Sequence, residues 1–120
     1  MAKPVNARRQ IEWLRALEEL DTNLKDIENP GYRKLYSNLQ IVDFVKSAEK
    51  RRKELCAQID EKRLAEYERI KKRYGSKVVV QVVTEFCGGC YVKLPSELAT
   101  RGKQEVLSCP NCGRFLYVVQ

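Results

Sequence analysis

Two short stretches near the end of the chain decide its fold: CGGC at residues 87–90 and CPNCGRFLY at residues 109–117. Each stretch contains a C-x2-C turn, and 18 residues separate the two turns in a chain that has no histidine. A C-x2-C turn delivers two thiolates from one tight knuckle, and a hairpin brings a second knuckle opposite the first. The candidate ligands are therefore Cys87, Cys90, Cys109 and Cys112.

The residues around the four cysteines suit two knuckles. Pro110 fixes φ inside the second turn, and Gly113 follows the last cysteine at a position where a left-handed conformation is useful. The first turn takes its flexibility from Gly88 and Gly89 instead. Both turns are thus built from residues that tolerate a tight backbone.

This spacing predicts one structural Zn²⁺ bound by four thiolates. Zinc prefers a tetrahedron of soft or borderline ligands, and four cysteines leave no open position for a reacting water. A C-terminal segment of about 45 residues buries too little surface to be stable without such a metal. We therefore expect the metal to stabilise the fold, and we expect no enzymatic activity, since the sequence shows no nucleophile–base pair.

Three other uses of the cysteines have different requirements. A thioredoxin-like couple needs a βαβ unit, which the sequence does not indicate. Two disulfides need an oxidising compartment, and nothing in the sequence points to one. An iron centre bound by four cysteines stays open as an alternative. The fifth cysteine, Cys56, is interpreted as a small apolar side chain in a helix rather than as a redox sensor.

Upstream of Gly75 the apolar pattern is helical. The expected fold class is therefore α+β. We expect an N-terminal antiparallel coiled-coil hairpin over residues 1–75 and a small β zinc ribbon over residues 76–120. Helices are predicted at about 5–28 and 32–74, separated by ENPGY. The apolar seam of the first helix is Trp13, Leu17, Leu20, Leu24 and Ile27, and Ile11 and Leu14 widen its apolar face. The seam of the second is Leu35, Leu39, Val42, Val45, Ala48, Arg52, Leu55 and Ile59.

The two predicted helices differ in length, at about 35 Å and about 63 Å. Beyond Ile59 the apolar residues change face, with Leu64, Tyr67, Ile70 and Tyr74 forming a displaced stripe. This stripe packs either on the C-terminal module or on a second chain. The second interpretation is favoured, and it predicts a homo-oligomer formed through the distal part of helix 2, with docking of a protein partner as a further possibility.

Downstream of Gly75 the sequence is β-prone. The run VVVQVVTEF at 78–86 predicts a strand that is apolar on both faces and needs cover on each side. YVK, EVL and FLYVV supply further short strands, and LPSELATRGK between them predicts a turn or short helical loop. These strands are expected to carry the two knuckles.

Basic and aromatic residues form a candidate binding surface for nucleic acid or a partner. The chain carries a formal charge of +7, or +5 once one Zn²⁺ and four thiolates are counted. The dense basic cluster KRRK at 50–53 is interpreted as solvated helix surface, and phosphate binding is the alternative interpretation. The candidate residues on the ribbon and helix 2 are Tyr91, Lys93, Arg101, Lys103, Arg114, Arg69, Lys72 and Arg73.

The chain begins without an apolar signal-peptide core, and its apolar runs are too short to span a bilayer. We therefore expect a cytoplasmic protein that does not bind membranes.

The combination of a helical hairpin, FCGGCYVKLP and VLSCPNCGRFLY resembles the bacterial four-cysteine zinc ribbon proteins with an N-terminal coiled coil. The resemblance is specific over residues 86–117 and generic over residues 1–75. It implies zinc ligation by the four cysteines and an elongated helical arm. Members are described as nucleic-acid-binding or adaptor proteins, some linked to flagellar regulation or type III secretion. The arm of this chain is shorter than is usual in that family.

Two functions are therefore expected. The first is a non-enzymatic adaptor whose arm self-associates or docks a partner while the ribbon serves as a recognition module. The second is a regulatory protein that binds RNA or DNA through the ribbon and the basic helix clusters.

Overall fold

The computed structural model describes residues 7–101 and 105–118. Helices come first and short strands follow, which confirms the predicted α+β class; the division into 1–75 and 76–120 stays a prediction. The helices are α1 (Ala7–Asp26), α2 (Pro30–Arg33), α3 (Asn38–Gln58), α4 (Glu61–Tyr74) and α5 (Glu97–Arg101). The strands are β1 (Val79–Val83), β2 (Phe86–Cys87), β3 (Leu107–Ser108) and β4 (Phe115–Tyr117). None of the helices in the described ranges has the length and apolar composition of a membrane span.

Helices α1 and α3 pack against each other as an antiparallel hairpin. At one end, which we call the root, the Gln10 side chain donates to the Gln58 carbonyl (3.2 Å) and accepts from the Asp60 amide (3.0 Å). Between the two ends of the hairpin, Arg52 Nε lies 2.7 Å from Asp21 Oδ1. At the other end, the tip, the Arg33 side chain donates to the Ile27 carbonyl (3.0 Å). The predicted first helix agrees with α1.

The prediction of one continuous helix over 32–74 is wrong, because two N-caps interrupt it. Ser37 caps α3 through a capping box with Gln40, in which each side chain bonds the other residue's backbone amide. Ile59 is extended (φ −81°, ψ 137°), and the Asp60 side chain accepts from the Lys62 amide (2.9 Å) to start α4. Short polar side chains satisfy free amides at a helix start, so they compete with helix continuation.

The break at residues 59–60 turns α4 back onto the rest of the molecule. Tyr67 is fully buried, and Leu64 and Ile70 pack on the same core as the root of α1 and α3. Tyr74 packs against the ribbon core. The displaced stripe therefore has an intrachain partner, and the main argument for self-association through this stretch no longer supports it. Self-association itself stays a prediction.

The start of the second seam is also different from the prediction. Leu35, Leu39 and Val42 are exposed, and the seam that faces α1 runs instead through residues 41, 45, 48, 52 and 55. The reason is that α3 begins only at Asn38, after the Ser37 cap, so the helical phase is set later than the uninterrupted pattern implied.

The four strands form one sheet in the order β2-β1-β4-β3. The strand predicted over 78–86 is divided into an antiparallel hairpin of β1 and β2, because Thr84 adopts a positive φ of 58°. Strands β3 and β4 form a second antiparallel hairpin, and the parallel pairing of β1 with β4 joins the two. Each hairpin carries one pair of cysteines.

The helical part and the sheet share a core. Ile11, Leu14 and Leu17 of α1 pack together with Val78, Val79 and Phe115 of the sheet region. The Glu18 carboxylate fixes the entry to β1 by accepting hydrogen bonds from the backbone amides of Val78 and Val79, the second at 3.1 Å. The ribbon is thus held on the root of the hairpin by apolar packing and by the partly buried Glu18 carboxylate.

Candidate metal centre

The first knuckle (residues 87–91) extends from strand β2. The Cys87 amide donates to the Val92 carbonyl (3.0 Å), and the Tyr91 amide donates back to the Cys87 carbonyl (2.8 Å). Tyr91 closes the turn with φ at 62°, in the left-handed region. The Gly89 amide lies 3.4 Å from Cys87 Sγ and points a donor at the sulfur. These bonds hold the two sulfurs of the knuckle on one side of the turn.

The second knuckle (residues 109–113) has the same backbone design between β3 and β4. The Cys109 amide donates to the Arg114 carbonyl (2.8 Å), and the Gly113 amide donates to the Cys109 carbonyl (2.9 Å). Gly113 has φ at 82°. The Cys112 amide lies 3.5 Å from Cys109 Sγ. The two knuckles therefore have the same backbone–backbone hydrogen bonds and the same left-handed position, and they differ in which amide lies against the first sulfur.

The four sulfurs have the geometry of a tetrahedral zinc site. All four Sγ atoms lie within 4.8 Å of one another. Cys87 and Cys112 are 3.8 Å apart and Cys90 and Cys109 are 3.7 Å apart, across the two knuckles. A tetrahedron with Zn–S bonds of 2.3 Å has edges of about 3.8 Å, whereas a disulfide needs about 2.05 Å. The donor set fits one structural Zn²⁺, as the sequence predicted.

The thiols would ionise at different pH values without a metal. A hydrogen bond from the Asn111 side chain lowers the pKa of Cys90 to about 6. Burial raises the pKa of Cys109 to about 12 and also raises the pKa of Cys87. Zinc binding must therefore displace protons from buried thiols, which is a normal cost of forming a four-thiolate site.

Helix α4 is attached to the metal centre through Tyr74. The Tyr74 hydroxyl donates to the Cys112 carbonyl (2.7 Å), and the Arg114 guanidinium stacks 3.8 Å from the centre of the Tyr74 ring. Arg114 also lies against Gly89, where an added Cβ would come within 2.6 Å of the arginine Cδ. Arg114 thus links both knuckles to α4 and brings positive charge to a centre that carries −2 when zinc is bound to four thiolates.

The structure brings only part of the predicted binding surface together. Arg69 and Arg73 line a cavity of about 500 Å³ beside Tyr74, Ser108 and the second knuckle. Arg114 is adjacent through its stacking on Tyr74.

The other predicted residues lie elsewhere. Tyr91 is 68% exposed on the first knuckle, and Lys93 Nζ is 3.8 Å from Glu85 on the same hairpin. Arg101 is exposed and paired with Glu105 (3.0 Å). Lys72 is exposed on α4 and does not line the cavity beside Tyr74. Lys103 lies outside the described residues.

Sequence reasoning missed a buried polar cluster around Asp21. Arg52 (2.7 Å) and Lys71 (3.0 Å) form ion pairs with the carboxylate of this residue, and the Tyr67 hydroxyl donates to it (2.8 Å). Burial opposes ionisation of Asp21, but these hydrogen bonds outweigh it and lower the pKa of the carboxyl. The available signal was Arg52 itself, since a charged residue in a predicted apolar seam needs a buried partner.

A family comparison defines the class of the metal-binding module. A family model described as "C4-type zinc ribbon domain" matches residues 87–116. The match spans both knuckles, strand β3 and the first two residues of β4, and with the clustered cysteines it identifies this segment as a C4-type zinc ribbon. No curated protein matches the chain.

Two solved structures are similar to the chain. CT398 from Chlamydia trachomatis is 25% identical with a TM-score of 0.57, over 67% of this chain and 35% of that protein. The HP0958 protein from Helicobacter pylori CCUG 17874 is 24% identical with a TM-score of 0.55, over 72% of this chain and 40% of that protein. The chain spans well under half the length of either protein, and the likeness is one of fold.

Proposed function

We propose that the protein is a non-enzymatic, cytoplasmic zinc-binding adaptor. Its ribbon serves as a recognition module, and its coiled-coil arm self-associates or docks a partner. A shell of four thiolates supports a structural rather than catalytic role for zinc, because it has no open position for substrate or water. Reduced thiols favour a reducing compartment.

The observation that carries the proposal is the exposed apolar surface of the first hairpin. Val83 and Phe86, which face each other in the β1–β2 register, are 52% and 42% exposed, and Tyr91 is 68% exposed on the adjoining knuckle. We call these three residues the ribbon patch. Aromatic side chains on a rigid, metal-fixed turn lose little conformational entropy on binding, so they suit a protein interface.

The test is capture of partners by zinc-loaded protein, compared with a variant of the ribbon patch. Because Phe86 and Tyr91 are exposed, Phe86→Ser with Tyr91→Ser should retain the fold and zinc. Partners that survive nuclease treatment and elevated salt, and that are lost with this variant, support an adaptor. Material that is released by nuclease, or that the variant retains, contradicts recognition of protein by the ribbon patch.

Nucleic-acid binding is the second candidate, and it is supported by the cavity beside Tyr74. Arg69 and Arg73 follow one another at i, i+4 on α4 and face Ser108 of the ribbon across this cavity. Two guanidinium groups beside a hydroxyl are suited to a phosphate. However, Glu66 also lines the cavity and weakens its positive field.

A titration into labelled single-stranded RNA and duplex DNA at low and near-physiological salt tests this candidate. Arg69→Gln should weaken binding more than Lys72→Gln, a matched control outside the cavity, and should lower the salt slope by about one. Equal effects of the two variants, or binding seen at low salt alone, would show that the interaction is non-specific electrostatic attraction to a basic surface.

A further inference from the structure

The tip of the helical hairpin is the least packed part of the described chain. Every residue from 31 to 40 is exposed, and α2 buries none of its side chains. Six large apolar residues are nevertheless concentrated there, and we call them the tip patch: Tyr32, Leu35, Tyr36, Leu39, Val42 and Phe44. Leu35 and Leu39 protrude furthest, with 73% and 71% of their surface exposed.

The same tip also contains a groove. A cavity of about 390 Å³ opens between the end of α1, α2 and the start of α3. Its walls are mainly apolar and are formed by Ile27, Tyr32, Tyr36, Ile41 and Phe44, with a few polar side chains at the edge. One surface therefore presents both protruding leucines and an apolar groove that has room for leucine side chains. A surface of this kind can complement itself across a twofold axis.

The amount of apolar surface agrees with the requirement of a stable dimer. The exposed fractions of the six residues correspond to roughly 600 Å² of surface, at the upper limit of the largest apolar patch on a typical monomer. A standard interface buries about 800 Å² per partner, of which about 450–520 Å² is apolar. The tip patch supplies that apolar area without any contribution from the rest of the molecule.

The charge distribution also favours a second copy over a strongly charged partner. Residues 23–46 contain four basic and three acidic residues, a net charge of +1, whereas the whole chain carries +7. Two copies that meet at their tips therefore bring together the part of the helical arm with little net charge. The basic clusters of α4 and the ribbon lie towards the root and stay far from the contact.

We propose that the tip patch is a twofold contact with a second copy of this chain, in which Leu35 and Leu39 of each protomer enter the groove of the other. This contact describes how the proposed adaptor self-associates. It rests on the proposed function in that respect alone. It moves the contact from the distal part of helix 2, whose apolar residues are used within the chain, to the opposite end of the hairpin. The two ribbons then lie at the far ends of the dimer.

Sedimentation equilibrium of the zinc-loaded full chain, from micromolar to about millimolar concentration, tests the proposal. We expect a reversible monomer–dimer equilibrium. Leu39→Glu should weaken it by at least about 100-fold, because the twofold axis places two unpaired carboxylates in the contact. Val83→Glu, an equivalent change at an exposed valine of the ribbon patch, should leave it unchanged. Circular dichroism and zinc content should match the parent protein in both variants, since both side chains are exposed.

Three outcomes would overturn the inference: a monomer at all concentrations, a dimer insensitive to Leu39→Glu, or a dimer dissociated by Val83→Glu. These outcomes are separate from failure of the proposed function. A monomer that still captures its partner through the ribbon patch contradicts the tip contact alone, whereas a dimer that captures nothing contradicts ribbon recognition alone.

Discussion

The two zinc knuckles have the same backbone conformation, but they differ in their residues and in the neighbours that those residues contact. At the left-handed position the second knuckle has Gly113, which is the residue best suited to a positive φ, whereas the first has Tyr91. At the first position inside the turn the second knuckle has an exposed proline, Pro110, whereas Gly88 of the first lies against the backbone of Gln81. The second knuckle is therefore made of residues that prefer its shape, and the first is shaped partly by its neighbours.

Under the proposed function, this difference favours the first knuckle as the part of the ribbon that recognises a partner. A large residue in a left-handed conformation costs about 1–2 kcal/mol relative to glycine, and such residues concentrate at functional sites. Tyr91 keeps this conformation although its ring is mostly exposed and contributes little to the core. Strain without burial is consistent with a residue retained for what it contacts outside the chain.

The largest effect on both knuckles should come from removing a ligand. Cys112→Ser leaves an incomplete shell, and structural zinc contributes about 10 kcal/mol or more to small zinc domains. We expect loss of bound zinc and of amide protection in both knuckles. Cys56→Ser is the matched control, because Cys56 lies on α3 beside Arg52, and it should keep one zinc per chain. Metal content by native mass spectrometry measures both, and zinc retained by the Cys112 variant would contradict a four-thiolate site.

Gly88→Ala should damage the first knuckle more than any change at the equivalent Pro110. A Cβ at residue 88 would lie 2.4 Å from the Gln81 carbonyl oxygen, which already accepts the Gly88 amide at 2.9 Å. Since both groups are backbone, neither can move without breaking the β1–β2 pairing, and we expect a loss of about 2–3 kcal/mol. Pro110→Ala should cost less than about 1 kcal/mol. Chemical denaturation of the zinc-loaded proteins measures both, and equal losses would refute the asymmetry.

The difference between the knuckles also marks the limit of sequence-based prediction. Cysteine spacing predicts the ligands because a C-x2-C turn is local, and Gly113 was recognised as a left-handed residue for the same reason. The requirement for glycine at position 88 depends on Gln81, which only the sheet register brings close. A sequence pattern reports only on residues that are close along the chain, so it does not predict that contact.

The helices show the same limit. The periodicity of α1 predicts the helix and its apolar side, because nothing interrupts it, but only Leu17 of the predicted seam is buried, and Ile11 and Leu14 form the rest of the buried apolar face. Asp60 lies among strong helix formers, which conceal its role in the sequence. Its role as an N-cap is visible only when Ile59 is seen to be extended. That single break sends the stripe of Leu64, Tyr67 and Ile70 onto the chain's own core rather than towards a second chain.

In the second knuckle, Gly113→Ala isolates the conformational contribution. Among the described residues, and leaving out the two chain neighbours of Gly113, no atom lies within 4 Å of the position that a Cβ would take, so the change introduces no clash. The remaining cost is that of a left-handed alanine, about 1 kcal/mol. We expect a correspondingly lower free energy of unfolding with unchanged zinc stoichiometry. A loss as large as that of Gly88→Ala would mean that the second knuckle is also shaped by contacts.

Tyr91→Gly should have the smallest effect on stability and the opposite sign. It gives the first knuckle the glycine that the second already has, so relief of the left-handed strain should raise the free energy of unfolding by about 0.5–1 kcal/mol. Tyr91→Ala is the control, because it removes the same ring but keeps a Cβ in the strained conformation. If Tyr91 is retained for recognition, both variants should lose the partner of the ribbon patch, and only the glycine variant should gain stability. If both instead lower stability equally, the ring stabilises the knuckle itself, and the difference between the two knuckles is one of packing rather than of function.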